Sequence, residues 1–159
     1  MVDEALSEWA AGRVEELAAT LQDRGLTVAI AESLTGGLVT EVLARGPGAS
    51  DWLRGGVVAY SSAVKHDLLG VRPGPVVSEH AALDMVVGVA RVLRADVGLA
   101  VTGVGGPAPQ DDQPPGTVWT ATLVDGSARA ELHHFAGGPV QICDATCRTV
   151  IERLHARLG

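Results

Sequence analysis

The segment Val-Ala-Ile-Ala-Glu-Ser-Leu-Thr-Gly-Gly, residues 28–37, guides the interpretation of the whole chain. Its apolar start has the length of a buried strand, and the small polar residues and glycines that follow are typical of a sharp turn before a helix. A strand that ends at Glu32 and Ser33 and turns at Gly36 and Gly37 holds a hydroxyl and several backbone N–H groups at one point. The segment therefore predicts a place for a nucleophile, an anion or both.

The rest of the chain alternates between helical and strand patterns. Apolar residues recur at helical spacing in four segments, residues 5–24, 35–44, 78–93 and 139–158. Two short helices are predicted at residues 49–54 and 62–69. Apolar runs of strand length occupy residues 27–31, 55–60 and 96–101. Two further strands, 116–124 and 127–135, are joined by Asp125-Gly126, which is typical of a tight hairpin. We therefore predict one α/β domain over residues 1–159. It has three α/β/α layers, a mixed, mostly parallel sheet, and a C-terminal hairpin followed by a helix.

Composition narrows the classes of partner. Nineteen acidic residues against twelve basic ones give a net charge of −7, which argues against a nucleic-acid or membrane-surface binder but leaves a small phosphorylated ligand open. The acidic N-terminus does not resemble a signal peptide, and no apolar run approaches the roughly 18 residues of a membrane span. Cys143 and Cys147 lack further ligands at metal-site spacing, so they predict buried thiols in a reducing compartment. We expect a cytoplasmic protein without a metal.

Three segments repeat one design, in which an apolar strand is followed by a turn rich in hydroxyls or glycine. They are residues 29–37, 57–65 and 99–107. If these strands are neighbours in a parallel sheet, their ends converge on one pocket. The side chains brought together would be Ser33, Thr35, Tyr60, Lys65 and Thr102, along with the N–H groups of nearby glycines.

This set suits acyl-transfer chemistry. A serine hydroxyl is inert unless a base takes its proton, and Lys65 can serve only if its pKa lies well below the usual value of about 10.4. Tyr60 can relay or accept the proton, and glycine-rich turns can donate to the oxyanion of a tetrahedral intermediate. The sequence 102–107 does not match a dinucleotide or Walker fingerprint, and the five histidines are scattered.

Each of these groups also has a structural interpretation, which the sequence leaves open. Ser33 and Thr35 are residue types that cap a following helix. Tyr60 fits a half-buried ring with a satisfied hydroxyl, and Lys65 fits a solvated surface charge. Glu32 fits either a ligand-orienting carboxylate or an acceptor for N–H groups of the turn, and the glycines of 102–106 fit a simple tight loop.

Six motifs, in order and at intact spacing, resemble the C-terminal domain of the competence/damage-inducible CinA family. They are Ala-Glu-Ser-Leu-Thr-Gly-Gly at 31–37, Gly-Val-Val-Ala-Tyr-Ser-Ser-Ala-Val-Lys at 56–65, Leu-Gly-Val at 69–71, Val-Ser-Glu at 77–79, Thr-Gly-Val-Gly-Gly-Pro at 102–107 and Pro-Gly-Thr-Val at 115–118. Stand-alone members of that family are nicotinamide mononucleotide amidohydrolases of the PncC type. The resemblance covers nearly the whole chain.

The resemblance implies a serine amidohydrolase that needs neither metal nor cofactor and converts nicotinamide mononucleotide to nicotinic acid mononucleotide and ammonia, a step of pyridine nucleotide salvage. It implies Ser33 as the nucleophile and Tyr60 and Lys65 as the base system. It further implies a homo-oligomer. The implied substrate-binding residues are Glu32, Thr35, Gly36, Gly37, Thr102, Gly103, Gly105 and Gly106.

The segment before the last helix departs from the family pattern. The family has Gly-Asp-Arg there, whereas this chain has Gly137-Gly138-Pro139, and the loop 108–115 lacks the usual Gly-Gly. If the family arginine holds the nucleotide phosphate, this chain has lost a contact. Two alternatives follow: a non-catalytic relative that binds a nucleotide or a partner, and an amidase acting on a carboxamide with less dependence on phosphate.

Overall fold

A computed structural model describes residues 2–159, which leaves Met1, the first residue of the acidic N-terminus, outside the described range. None of its helices is both long and apolar enough to cross a membrane. In chain order the elements are α1 (Glu4–Arg24), β1 (Val28–Glu32), α2 (Leu38–Ala44), α3 (Ala49–Trp52), β2 (Leu53–Val58), α4 (Ser62–Asp67), α5 (Glu79–Leu93), β3 (Val97–Gly103), β4 (Thr117–Val124), β5 (Ser127–His134) and α6 (Pro139–Leu158).

The five strands form one mixed sheet in the order β2-β1-β3-β4-β5. Strand β1 lies in the centre of a parallel trio with β2 and β3, and β4 and β5 continue the sheet as an antiparallel hairpin. Asp125 and Gly126 join the hairpin with φ angles of 52° and 71°, the left-handed values that a tight two-residue turn requires. The predicted mixed sheet, hairpin and final helix are confirmed.

Helices cover both faces of the sheet, as predicted. Alternate residues of β1 separate two cores: Val28 and Ile30 pack with α1, α2 and α6, whereas Ala29 and Ala31 pack with α5 on the opposite face. The α5-side core is rich in alanine, which lets the helix approach the sheet closely. The three-layer α/β/α prediction is therefore confirmed.

Two predicted boundaries shift at the sheet edge. Helix α2 begins at Leu38 rather than at residue 35, because Gly36 and Gly37 adopt left-handed φ angles of 60° and 109° that no helix accommodates. Strand β2 begins at Leu53, inside the helical turn predicted for residues 49–54, because Leu53 pairs with Val28. Pairing with the central strand therefore overrides the local helical pattern.

The contact between α5 and the segment after α4 depends on a glycine. A Cβ atom at Gly88 would lie 2.0 Å from the carbonyl oxygen of Leu69. We expect Gly88→Ala to lower the free energy of unfolding by about 1–3 kcal/mol, because backbone must move to relieve the overlap. Gly12→Ala in α1 is the matched control: it meets open space and should be neutral or stabilising by up to about 1 kcal/mol. Chemical denaturation measures both, and equal stability of the two variants would contradict the prediction.

Candidate active site

The three parallel strands end at one edge of the sheet. Glu32 pairs with Val58 across β1 and β2, and the Ala59 N–H donates to the Glu32 carbonyl at 2.7 Å just beyond the last pair. On the other side Ala31 pairs with Ala100, two residues before Thr102. The turns that follow the three strands therefore meet, as the sequence predicted.

Glu32 anchors the turn from beneath. Its side chain is fully buried, and its two carboxylate oxygens accept five hydrogen bonds of 2.6–3.2 Å, all from the turn and the start of α2. The donors are the Thr35 hydroxyl, the Gly37 and Val39 amides, and both the amide and hydroxyl of Thr40. A negative charge suits a helix N-terminus, so Glu32 has the structural role that the sequence left open. A substrate contact by Glu32 would require these bonds to be exchanged.

In this arrangement the Ser33 hydroxyl has no hydrogen-bonding partner in the described chain. Ser33 is buried, but its hydroxyl makes no hydrogen bond within residues 2–159. The N-cap of α2 is Gly37, without a side-chain cap, and the Thr35 hydroxyl donates to Glu32. The helix-capping interpretation of Ser33 and Thr35 is therefore wrong. Successive side chains along β1 point to opposite faces of the sheet, and Glu32 points toward α2. The same alternation, continued by one residue, directs Ser33 toward the α5 face.

Lys65 is buried, in the short helix α4 that leads into the core on the α5 side. Only 1% of the residue is exposed, and α4 packs against the core through its neighbours Leu69 and Val71. Its ammonium makes no hydrogen bond or ion pair in the described part of the chain. Burial lowers the pKa of Lys65 below its usual value, and the Asp111 carboxylate partly opposes that shift. The surface-charge interpretation of Lys65 is wrong.

Composition carried a signal that the sequence analysis missed. Lys65 is the only lysine in the chain, and the other eleven basic residues are all arginine. Arginine cannot be deprotonated in a protein, whereas a desolvated lysine can. The single position where the chain has lysine is thus the buried one, where loss of a proton is favoured.

Tyr60 lies at the same edge but points into solvent. It is 72% exposed and its hydroxyl has no hydrogen-bonding partner among residues 2–159. The half-buried interpretation is therefore wrong. No hydrogen bond joins Ser33 to Tyr60 or to Lys65 in the described chain, so the three predicted catalytic groups share an edge without being assembled into a bonded set.

The glycine turn after β3 borders the turn at residues 33–37. The buried Thr102 hydroxyl donates to the Val76 carbonyl at 2.6 Å, so this side chain holds the scaffold together. A Cβ at Gly103 would lie 2.6 Å from the carbonyl oxygen of Thr117, so β4 packs closely here, and one at Gly105 would lie 3.6 Å from the Leu34 Cβ. The amides of Gly105 and Gly106 make no hydrogen bond within residues 2–159. The turn therefore offers free donors beside residue 34.

A cleft of about 390 Å³ opens on the other side of the turn. Its walls include Thr35, Gly36 and Gly37 together with the start of α6, and exclude both Ser33 and Lys65. The altered segment forms the N-terminus of α6, where the Gly138 amide donates to the Gln141 side chain at 3.0 Å. The predicted site residues therefore divide between two neighbouring places.

The two cysteines lie in packed surroundings. Cys147 is fully buried, and burial raises its pKa strongly. Cys143 is half-buried with a pKa raised for the same reason, and its thiol donates to the Leu34 carbonyl at 3.2 Å. Within residues 2–159 no three His, Cys, Asp or Glu side chains are grouped to hold a metal ion.

Comparison with known proteins agrees with this architecture. Residues 11–158 match the family described as the CinA C-terminal domain. A CinA-like protein from Syntrophotalea carbinolica is 39% identical over 158 residues, covering 96% of this chain and 38% of the relative. The chain spans about a third of the length of the curated relatives it matches, for example 34% of a Bacillus subtilis protein.

Solved structures give the same result. A CinA superfamily protein from Enterobacter cloacae superimposes with a TM-score of 0.91 at 28% identity, covering 94% of this chain and 92% of that one. A competence/damage-inducible protein from Agrobacterium tumefaciens gives a TM-score of 0.88 at 31% identity, with coverage of 98% and 97%. The chain belongs to the CinA C-terminal domain family.

Proposed function

We propose that this domain is a serine amidohydrolase that deamidates nicotinamide mononucleotide to nicotinic acid mononucleotide and ammonia. The observation that carries the proposal is the environment of Lys65. It is the single lysine of the chain, it is buried with a lowered pKa, and it has no partner among residues 2–159. It lies behind the same sheet edge as Ser33, whose hydroxyl has no partner there either. An unpaired buried amine costs stability, so a purely structural position would favour an apolar residue. Membership of the CinA family supports an amidohydrolase in general terms.

In the proposed mechanism Ser33 is the nucleophile and neutral Lys65 the base. Lys65 takes the hydroxyl proton while the Ser33 oxygen attacks the carboxamide carbon, and the resulting oxyanion binds to the free amides of Gly105 and Gly106. The lysine ammonium then gives its proton to the departing amine, which leaves as ammonia. Water then attacks the acyl-enzyme while Lys65 accepts a proton from it. The bond from the acyl carbon to the Ser33 oxygen breaks, Lys65 returns the proton to that oxygen, and the carboxylic acid product leaves. Tyr60, exposed at the surface, is proposed to close over the bound ring.

The phosphate of the substrate is proposed to lie in the cleft at Gly36 and Gly37. The N-termini of α2 and α6 both border that cleft, but the first amides of α2 already donate to Glu32, so the N-terminus of α6 is the end that would favour an anion there. Asp3, Glu41 and Asp144 also line the cleft and oppose an anion. Glu32 acts as a positioning residue that fixes the turn. The predicted homo-oligomer and cytoplasmic location stay predictions.

Ammonia release tests the proposed activity directly. Purified protein should release one ammonia and form one nicotinic acid mononucleotide for each nicotinamide mononucleotide consumed, without added metal and in the presence of a chelator. A coupled ammonia assay and chromatography of the nucleotide products measure both. Nicotinamide riboside, which lacks the phosphate, is the matched substrate control, and a higher kcat/KM for the riboside would overturn the assignment of the nucleotide.

A non-catalytic nucleotide-binding role is the second candidate. It is favoured by the absence of any bond between Ser33 and either base within residues 2–159, and by Gly138-Pro139 standing where the family has Asp-Arg. Isothermal calorimetry with nicotinamide mononucleotide distinguishes the two roles. Binding without ammonia release supports the second candidate, and turnover excludes it.

A further inference from the structure

A cleft of about 730 Å³ lies between the β4–β5 hairpin and the last turns of α6. This hairpin cleft has a volume within the roughly 300–1,000 Å³ that is usual for small-molecule sites. Its rim includes Asp125 and Ser127, at the turn of the hairpin. Because β4 runs antiparallel to β3, that turn lies at the edge of the sheet opposite to the candidate active site. The hairpin cleft is therefore a place distinct from the groups around Ser33.

Three arginine side chains line the hairpin cleft, and the strand register brings two of them to the same point. Arg129 lies directly opposite Thr122 across β4 and β5, so the two side chains share a face of the sheet, with Cβ atoms about 4.5–5.5 Å apart. Arg157 of α6 donates from Nη1 to the carbonyl and the hydroxyl of Thr122 at 2.9 and 3.1 Å. Two arginines from different elements therefore meet at one buried threonine.

Within residues 2–159, only one of the three arginines is paired with a carboxylate. Arg153, one helical turn before Arg157, donates from Nε and Nη2 to the two oxygens of Glu131. Arg157 donates only to hydroxyl and carbonyl oxygens of the hairpin, and Arg129 has no hydrogen bond or ion pair in the described chain. Asp125, the other acidic residue of the wall, makes no ion pair there either. Two positive charges thus remain unpaired beside each other.

The fold holds these two charges together. Arg157 is half-buried and fixed by its Nη1 bonds, which leave its Nε without an acceptor in the described chain. Burial lowers the pKa of Arg157 and the charge of Arg129 lowers it further, whereas Asp125 opposes the shift. A guanidinium stays protonated in a protein, so the two groups repel each other. Such a pair, in a chain with a net charge of −7, indicates a site for an anion.

We propose that the hairpin cleft is a second ligand site, which binds the phosphate group of a small molecule through Arg129 and Arg157. A phosphate monoester carries a charge of about −1.5 to −2 at pH 7 and so matches two guanidinium groups, whereas a single carboxylate leaves one of them unpaired. A guanidinium also presents its donors as a rigid fork that fits phosphate oxygens. The proposal is independent of the proposed function, because no group of the hairpin cleft takes part in the deamidation.

Binding of glycerol phosphate, a simple phosphate monoester, tests the proposal. In ¹⁵N-labelled protein, the amide signals of residues 122–131 and the Nε–H signals of Arg129 and Arg157 should shift during the titration. Signals of residues 35–38 report separately on the cleft assigned to the substrate phosphate. Acetate, titrated in the same way, is the matched monocarboxylate probe and should bind more weakly.

Arg129→Gln removes one charge and one fork while leaving the bonds of Arg157 in place. We expect it to weaken glycerol phosphate binding in the hairpin cleft by about tenfold or more, because charge-assisted hydrogen bonds to the phosphate are lost. Arg94→Gln is the matched control. Arg94 is exposed at the end of α5, on the other face of the sheet, and its side chain has no partner within residues 2–159. This variant changes the net charge equally and should bind as wild type does.

Thermal unfolding distinguishes a binding role of Arg129 from a structural one. Without phosphate, Arg129→Gln should be at least as stable as wild type, because a repulsion is removed. With glycerol phosphate, the midpoint of unfolding should rise more in wild type than in the variant, since a ligand that binds only the folded state stabilises it. A loss of stability in Arg129→Gln without phosphate would show that Arg129 is structural and would overturn the proposal.

The remaining outcomes are equally distinct. Equal affinity of wild type and Arg129→Gln would overturn the proposal, as would shifts confined to residues 35–38. Equal binding of acetate would overturn the assignment to phosphate. Shifts in the hairpin cleft that Arg129→Gln weakens and Arg94→Gln leaves unchanged support it. They do so whether or not the protein releases ammonia, so a failure of the proposed function leaves this site standing.

Discussion

Replacing Ser33 with alanine is expected to reduce kcat for deamidation by a factor of about 10³ or more, because the proposed acyl-enzyme cannot form without the hydroxyl. Some rate above that in water can survive, since backbone donors would still stabilise the oxyanion. The measurement is ammonia release under saturating substrate. Ser62→Ala, at the exposed start of α4, is the matched control and should keep full activity.

The free energy of unfolding of Ser33→Ala distinguishes a loss of catalysis from a loss of the folded state. The Ser33 hydroxyl has no hydrogen bond in the described chain, so Ser33→Ala should change the free energy of unfolding by less than about 0.5 kcal/mol. Thr35→Ala removes a 2.7 Å bond to the buried Glu32 carboxylate and should cost about 1–3 kcal/mol. Wild-type turnover in Ser33→Ala would remove Ser33 from the mechanism. A stability loss equal to that of Thr35→Ala would show that its hydroxyl is structural.

The sequence predicted the fold well because periodicity reports burial. Helices with a repeating apolar face and strands of continuous apolar residues are the patterns from which layers are built, and α6 begins and ends where its pattern predicts. The boundaries that shifted lie where tertiary pairing decides, as at Leu53. Local patterns carry no information about which partner a strand meets.

The site was only partly predictable because roles there depend on neighbours distant in sequence. For the adjacent residues Glu32 and Ser33 the sequence left both a structural and a functional role open. In the fold the Glu32 carboxylate accepts amides at the start of α2, whereas the Ser33 hydroxyl has no hydrogen-bonding partner among residues 2–159. Residue type alone favours a surface position for Lys65, and only its burial in the folded chain shows otherwise.

Lys65→Met should abolish activity and stabilise the fold at the same time. Methionine has a similar length and shape without a charge to desolvate, so the free energy of unfolding at neutral pH should rise by about 1–2 kcal/mol. Activity should fall by at least about 10³-fold because no base remains for Ser33. Lys65→Arg is the control for charge: it stays protonated, so it should be inactive as well, without the gain in stability.

The pH dependence of stability gives this prediction its sharpest form. Burial lowers the pKa of Lys65 in the folded state, while the unfolded chain keeps the usual value of about 10.4. Between these two values the unfolded state binds more protons, so wild-type stability rises with pH there, and below both values the full cost of the buried charge is present. The advantage of Lys65→Met over wild type should therefore be largest below the lowered folded-state pKa of Lys65 and shrink as the pH rises from there toward about 10.4. A difference in stability between the two proteins that stays constant between these two pKa values would show that Lys65 is not desolvated. Equal stability of the two proteins, with turnover retained in Lys65→Met, would show that the amine neither destabilises the fold nor acts as the base.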